Sequence, residues 1–481
     1  MPKTLYEQIM EESDDQAATT VQPAEASSAV ATVTLEERVL SQYELLRRIF
    51  ATLPAASLLR ISAVCRMWKS VAETTLRDKD RAALASFSWI GPATNGQFYA
   101  QHDFLQSPRH RELEAAVRGH SLASRMLPET ALFMHTTEVF QAAANRTFCA
   151  DVKAVNELLP PTCTAVSMAF GGVVGLDSEA GNCLEIENLN PAKPKPALSM
   201  MLFPPMPNVK IVPFKLDETL EGLKKHLPGG KKDPDFRGTL LSNITSGKLG
   251  EADRVKCVLA LTSSGEIPHT HFVLQEIGRR TRNRFAVGGA IGHMPHISTQ
   301  TEGTKQLIER ELDKEFSEAG TDEAGNDDGA DEEVGATAGL IFAGEGVEAA
   351  SVLLDSTVRK EKDVERLLAR LKGPWLEGGR RTCAFMFACC GRGAGLYRGK
   401  KNVESGVFRK LFPTTPLIGA FGGGEIGVEY IPSAAPENED EERPAKRARV
   451  DDEDGEKEKK LLSSDDLLHS YTTVFVMLSF K

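Results

Sequence analysis

Two adjacent thiols followed by a guanidinium, Cys389-Cys390-Gly391-Arg392, are the residues whose types and spacing come nearest to a reactive centre in this chain. A nearby cation lowers a thiol pKa, and the thiolate is the nucleophile. The competing reading is a small buried hydrophobe at a strand end, with Cys389 and Cys390 pointing to opposite faces. Histidines pair at His269/His271 and at His293/His296. On a strand the first pair would share a face, as two metal ligands must, but nothing else at ligand spacing joins them, and no metal is expected. Glycine-rich phrases recur at 168–176, 284–293 and 419–427. None has the GxGxxG spacing of a dinucleotide loop, and the nearest Walker-like phrases, at 394–401 and 242–249, each miss two required positions. These glycines are read as strand turns. No Ser-His-Asp order, HExxH or paired-carboxylate signature stands out, so no catalytic residue and no cofactor are expected. Lys446, Arg447 and Arg449 follow Pro444 inside an acidic stretch. They are a candidate nuclear import signal or, on the plainer reading, a solvated charge run.

The elements around these residues fall into two textures. Residues 40–54 place Leu46, Ile49, Phe50 and Leu53 on one helical face, Pro54 ends that helix, and Ser57 is the expected cap of the next. Leu58, Ile61, Cys65 and Trp68 continue the spacing, giving a small helical hairpin with more apolar surface than it can bury alone. From about residue 110 short apolar runs alternate with Gly/Pro turns, and most read as strands, 269–278 among them. Residues 304–316 and 361–373 read as amphipathic helices. The expected fold is therefore α+β, a small helical unit followed by a mixed α/β region.

Charge and length set the outer bounds. The chain has 481 residues and a net charge of −11, and that charge is concentrated at 4–16, 321–333 and 436–460. These stretches carry few large apolar residues and are expected to be disordered, which leaves the remainder weakly basic. No aromatic-rich basic stripe suggests nucleic acid, no apolar run is long enough to span a membrane, and the first residues lack a signal-peptide pattern. Eight cysteines without a CxxC pair fit a reducing compartment.

Residues 44–71, "ELLRRIFATLPAASLLRISAVCRMWKSV", resemble an F-box in the LP between helices, the LLR and the V-C-R-x-W. The family's opening Leu-Pro falls here at Ser41-Gln42. Further on, "FMFACCGRG", "NVESGVFRKLFP", "PLIGAFGGGEIG" and "LLHSYTTVFVML" resemble the FIST domains of F-box proteins. The resemblance implies an F-box at 34–90 and FIST segments at 110–319 and 336–481; the acidic tail at 1–33, the linker at 320–335 and the insertion at 434–462 are read from composition as disordered, the last two as additions to the family pattern. It also implies the substrate receptor of an SCF-type ubiquitin ligase, non-catalytic, cytoplasmic and nuclear. The F-box would bind a Skp-family linker, and through it a cullin scaffold with its RING subunit, by Leu45, Leu46, Ile49, Phe50, Leu53, Pro54, Leu58, Leu59 and Trp68. Substrates would include chromatin demethylases and transcription regulators. A ligand-sensing or enzymatic FIST module, with an F-box that governs its own turnover, is the alternative.

Overall fold

The computed structural model describes residues 42–76, 84–90, 115–116, 127–136, 159–160, 162–176, 183–187, 195, 197–216, 236–263, 267–299, 337–376, 381–432 and 462–481. Three helices come first: α1 (Tyr43–Phe50), α2 (Ala55–Ile61) and α3 (Arg66–Leu76). The expected hairpin is thus a three-helix unit. Its second helix starts directly after Pro54, so Ser57 lies inside α2 and does not cap it. Pro54 fixes an extended entry at the N-cap, and its carbonyl accepts the Leu58 N–H at 3.1 Å to open the helix. A turn at 62–65 divides α2 from α3, and the Cys65 thiol accepts the Trp68 N–H in the manner of a cap.

The remainder is built on strands β1 (Ala85–Ile90), β2 (Thr130–Thr136), β3 (Thr164–Phe170), β4 (Gly172–Leu176), β5 (Cys183–Glu187), β6 (Ala197–Phe203) and β7 (Lys210–Leu216). Helix α4 (Phe236–Ile244) leads to β8 (Val255–Ser263), α5 (Ile267–Thr281) and β9 (Ala286–Thr299). Then follow β10 (Thr337–Ala343), β11 (Val347–Leu354), α6 (Glu361–Leu368), β12 (Arg381–Cys389), α7 (Gly393–Leu396) and α8 (Val403–Leu411). The chain closes with β13 (Leu417–Gly422), β14 (Glu425–Val428), α9 (Ser464–Leu467), β15 (Leu468–His469) and β16 (Thr473–Phe480). One sheet runs β1-β6-β2-β3-β9-β8-β10-β7, with β14 and β15 attached beside β9; the other runs β11-β16-β12-β13-β4-β5.

Side chains alternate across these strands as period-two burial requires. On β12, Cys383, Phe385 and Phe387 face the core between the sheets, while Ala384, Met386 and Ala388 face α6 and α8. On β8, Cys257, Leu259 and Leu261 join the same central core, and Val258 and Ala260 face α5. The order is therefore helix, sheet, sheet, helix. Strands from before and after residue 330 are mixed in both sheets: β10 lies between β8 and β7, and β13 pairs with β4.

Residues 269–278, read from sequence as a strand, are helical within α5. Strands β8 and β9 are parallel neighbours, and a parallel pair needs a crossover between its ends. Val273, Leu274 and Ile277 supply the buried helical face. The glycines also need correction in part. At Gly171 and at Gly422–Gly424 the chain passes from one sheet to the other, so these do turn strands. Gly288 and Gly289 instead sit inside β9. A β-carbon on Gly288 would collide with Val476 of the facing sheet, and one on Gly289 with the Ala260 carbonyl, so they admit close packing and turn nothing. The helix expected at 304–316 and the acidic stretches lie outside the described residues. Strands β14 and β15, on either side of the insertion, pair with each other.

Candidate functional site

Three short helices bury one small core. Leu46, Phe50, Leu58, Val71 and Ala72 are its centre, ringed by Leu53, Ile61, Met67, Trp68 and Leu76. Phe50 and Trp68 meet edge to face, ring centres 5.5 Å apart, the geometry aromatic quadrupoles prefer. Of the nine residues expected to dock a partner, Leu46, Phe50 and Leu58 are thus held inside the unit. Leu45, Leu53, Pro54, Leu59 and Trp68 are half-buried and Ile49 is exposed. Tyr43 and Val64 are further exposed apolar residues of the unit, outside those nine. Period alone could not separate the inward from the outward positions, because apolar residues fall on both sides of α1. Apolar surface left open on a unit this small is what its own core cannot cover.

A second site closes the end of β12. Arg392, 1% exposed, donates from Nε and Nη2 to Glu404 Oε1 at 2.8 and 2.6 Å. Its Nη1 reaches the carbonyls of Asp355 and Tyr471, and Nη2 that of Val358. Tyr397 adds its hydroxyl to Glu404 at 2.7 Å. A buried guanidinium is tolerated only when its donors are used in this way. It therefore clamps the β11–α6 turn, α8 and the turn before β16 together, with its donors spent on those partners. Burial first, with the Glu425 carboxylate and the neighbouring Cys390 thiol adding to it, raises the Cys389 thiol above its ordinary range. The expectation of a thiolate favoured by Arg392 is thus reversed at Cys389, while Cys390 is exposed.

Two carboxyls complete the rim. Glu425 is fully buried, accepts the Thr472 N–H at 3.1 Å and hydroxyl at 2.6 Å, and is raised by burial. Glu185 on β5 accepts the N–H groups of Asn402 and Ser405, at 3.1 and 3.0 Å, while the Asn402 side chain takes the Glu185 N–H. The start of α8 is therefore capped from another strand. Burial lifts Glu185 to about 7, against the opposing hydrogen bonds from Ser405. Tyr471, with a left-handed backbone at φ 57°, stands exposed beside Gly391, where any side chain would strike its ring.

The remaining candidates are dispersed. His271 lies on α5, where positions two apart face different directions, and its Nε2 meets the Leu462 carbonyl at 3.1 Å. His269 shares that helix, and His293 and His296 lie on β9. Among the described residues no three His, Cys, Asp or Glu side chains form a metal-sized group. Lys446, Arg447 and Arg449 fall outside the described residues. A cavity of about 500 Å³ lies elsewhere, between the start of β2, the end of β6 and β7, where Glu129, Lys210 and Lys248 meet Met206, Val209 and Ile211.

Three helices with an apolar outer face, followed by a two-sheet α+β body, match two families. An F-box-like family model matches residues 43–77, and the FIST C domain matches residues 332–428. Over 453 residues the chain is similar to F-box only protein 22: 26% identical to that of Pongo abelii and 27% to that of Homo sapiens, with 90% of this chain and 92% of each relative covered. A solved cyanuric acid hydrolase from A. caulinodans aligns over 82% of this chain and 99% of its own, at 10% identity and a TM-score of 0.27. That likeness is too slight to bear on function.

Proposed function

We propose that this chain is the substrate receptor of an SCF-type ubiquitin ligase. Its helical unit docks a Skp-family linker, and through it the cullin scaffold and RING subunit. Its two-sheet body holds the substrate, drawn from the chromatin demethylases and transcription regulators that the resemblance implies. The observation that supports this most is the outer face of the three-helix unit, apolar beyond what its five-residue core can cover. The receptor transfers nothing itself. It raises the effective concentration of substrate lysines at a charged ubiquitin carrier, converting a bimolecular encounter into a local one. Co-purification tests it: the intact chain captures the linker and cullin, and a chain lacking residues 40–71 does not. Failure of the intact chain to capture the linker contradicts the proposal.

Cytoplasmic and nuclear residence is part of the same proposal, with Lys446, Arg447 and Arg449 as the import signal. Replacing all three by Ala is expected to shift the protein to the cytoplasm; unchanged nuclear content makes the cluster a solvated charge run. The cavity beside β7 supports a second reading, a ligand-sensing body. Native mass spectrometry that finds a small molecule retained by the purified chain favours it over the plain receptor.

A further inference from the structure

The described chain after residue 461 begins in a small latch. The Leu462 carbonyl takes hydrogen bonds from His271 Nε2 at 3.1 Å and Gln275 Nε2 at 2.9 Å, both on α5. The Leu462 side chain packs on the α5 core, so close to Gly278 that a β-carbon there would lie 3.3 Å from Leu462 Cδ1. The next residue closes a capping box. Ser463 N–H donates to Asp466 Oδ2 at 2.9 Å, its hydroxyl donates to the same oxygen at 2.6 Å, and Asp466 N–H donates back to Ser463 Oγ at 3.3 Å. Leu467, fully buried, and β15 follow at once, and the turn after β15 carries the Tyr471 carbonyl bound by Arg392.

The same four residues, Ser463-Ser464-Asp465-Asp466, present a hydroxyl with acids two and three positions downstream. That charge pattern is what acid-directed serine kinases read. We propose that Ser463 is a phosphorylation site for such a kinase, and that the phosphate opens the latch. Ser463 Oγ forms a bond to the γ-phosphorus of ATP as the bond to the departing ADP oxygen breaks, and the hydroxyl proton passes to the kinase base. The product replaces a donor by a group of about −1.5 to −2 charge. Asp466 Oδ2 sits where that hydroxyl donated, so the box cannot re-form around two anions. The half-buried Ser463 is reached when the box opens, and modification then holds it open.

The test uses the full-length chain, a purified acid-directed kinase of the casein kinase 2 type and ATP. Peptide mass spectrometry locates the phosphate, and hydrogen exchange reads residues 462–469. Phosphate is expected on Ser463 in the native chain, reduced about fivefold or more in Asp466→Asn, and absent from that position in Ser463→Ala. Amide exchange across 463–469 is expected to quicken about five- to tenfold after modification, while β12 and β16 keep their protection. No phosphate on Ser463, or phosphate on Ser464 alone, overturns the assignment of the site. Modification of Ser463 with unchanged or slower exchange overturns the latch.

Discussion

The three-helix unit and the two-sheet body handle apolar surface in opposite ways. The body sinks whole strands: every residue of β2, β6, β10, β13 and β16 is buried, and among its described residues Tyr471 is the one exposed large hydrophobic. The helical unit buries six apolar residues, Ala55 beside the five of its central cluster, and leaves Tyr43, Ile49 and Val64 in the open. One region closes over its apolar surface; the other leaves part of it open. Small units with cores of this size are marginal alone and gain stability by association.

The comparison breaks or sharpens most visibly at matched aromatic positions. Phe50→Ala and Phe387→Ala each remove a buried ring, at a cost of about 3–5 kcal/mol. In the helical unit that is expected to exceed the whole local stability and unfold 43–76 while the body survives; in the body it is expected to lower the main melting transition without abolishing it. Hydrogen exchange by region, alongside calorimetry, reads both, and a body that unfolds with Phe50→Ala denies the division. Arg392→Met is next. It leaves Glu404 buried without its cation and is expected to cost the body about 3–5 kcal/mol, seen as a lower denaturant midpoint.

Glu185→Gln follows, and its sign is set by a raised carboxyl. Between the ordinary range near 4.5 and about 7, the unfolded chain has lost the proton that the folded chain keeps, so this group makes stability fall as pH rises through that window. The Gln variant is expected to flatten that fall, by on the order of 3 kcal/mol at most, in denaturant titrations at pH 5 and pH 7. An unchanged slope rejects the buried cap as its source. The smallest effect concerns thiols: iodoacetamide at neutral pH is expected to label exposed Cys390 before Cys389, and equal fast labelling of both returns the reactive reading of Cys389.

What the sequence made legible follows from range. Strands such as 197–203 and 473–480 are continuous apolar runs, and burial on both faces writes itself into them. Residues 269–278 hold only the short apolar run 272–274, which suits a strand or a helix; the parallel pairing of β8 with β9, a long-range fact, requires the helix. The clamp was equally hidden. Arg392 was noticed for its closeness in sequence to Cys389 and Cys390, whereas its partners lie at 355, 358, 404 and 471, and the cap on α8 comes from Glu185, more than two hundred residues away. In the helical unit Leu45 and Leu46 are adjacent, and only the packing of three helices shows which one faces in.

That last distinction carries the central claim. A chain with Leu45→Lys and Ile49→Lys keeps the inner core of Leu46, Phe50 and Leu58 and charges only the outer face. Central apolar contacts cost about 2–4 kcal/mol when lost, roughly 30- to 1000-fold in affinity. Pull-down of a Skp-family linker, with circular dichroism to confirm that the helices remain, is the most direct measurement. The expected result is loss of the linker and cullin from a folded variant that still holds its substrate. Retention of the linker at the native level by that variant contradicts the account.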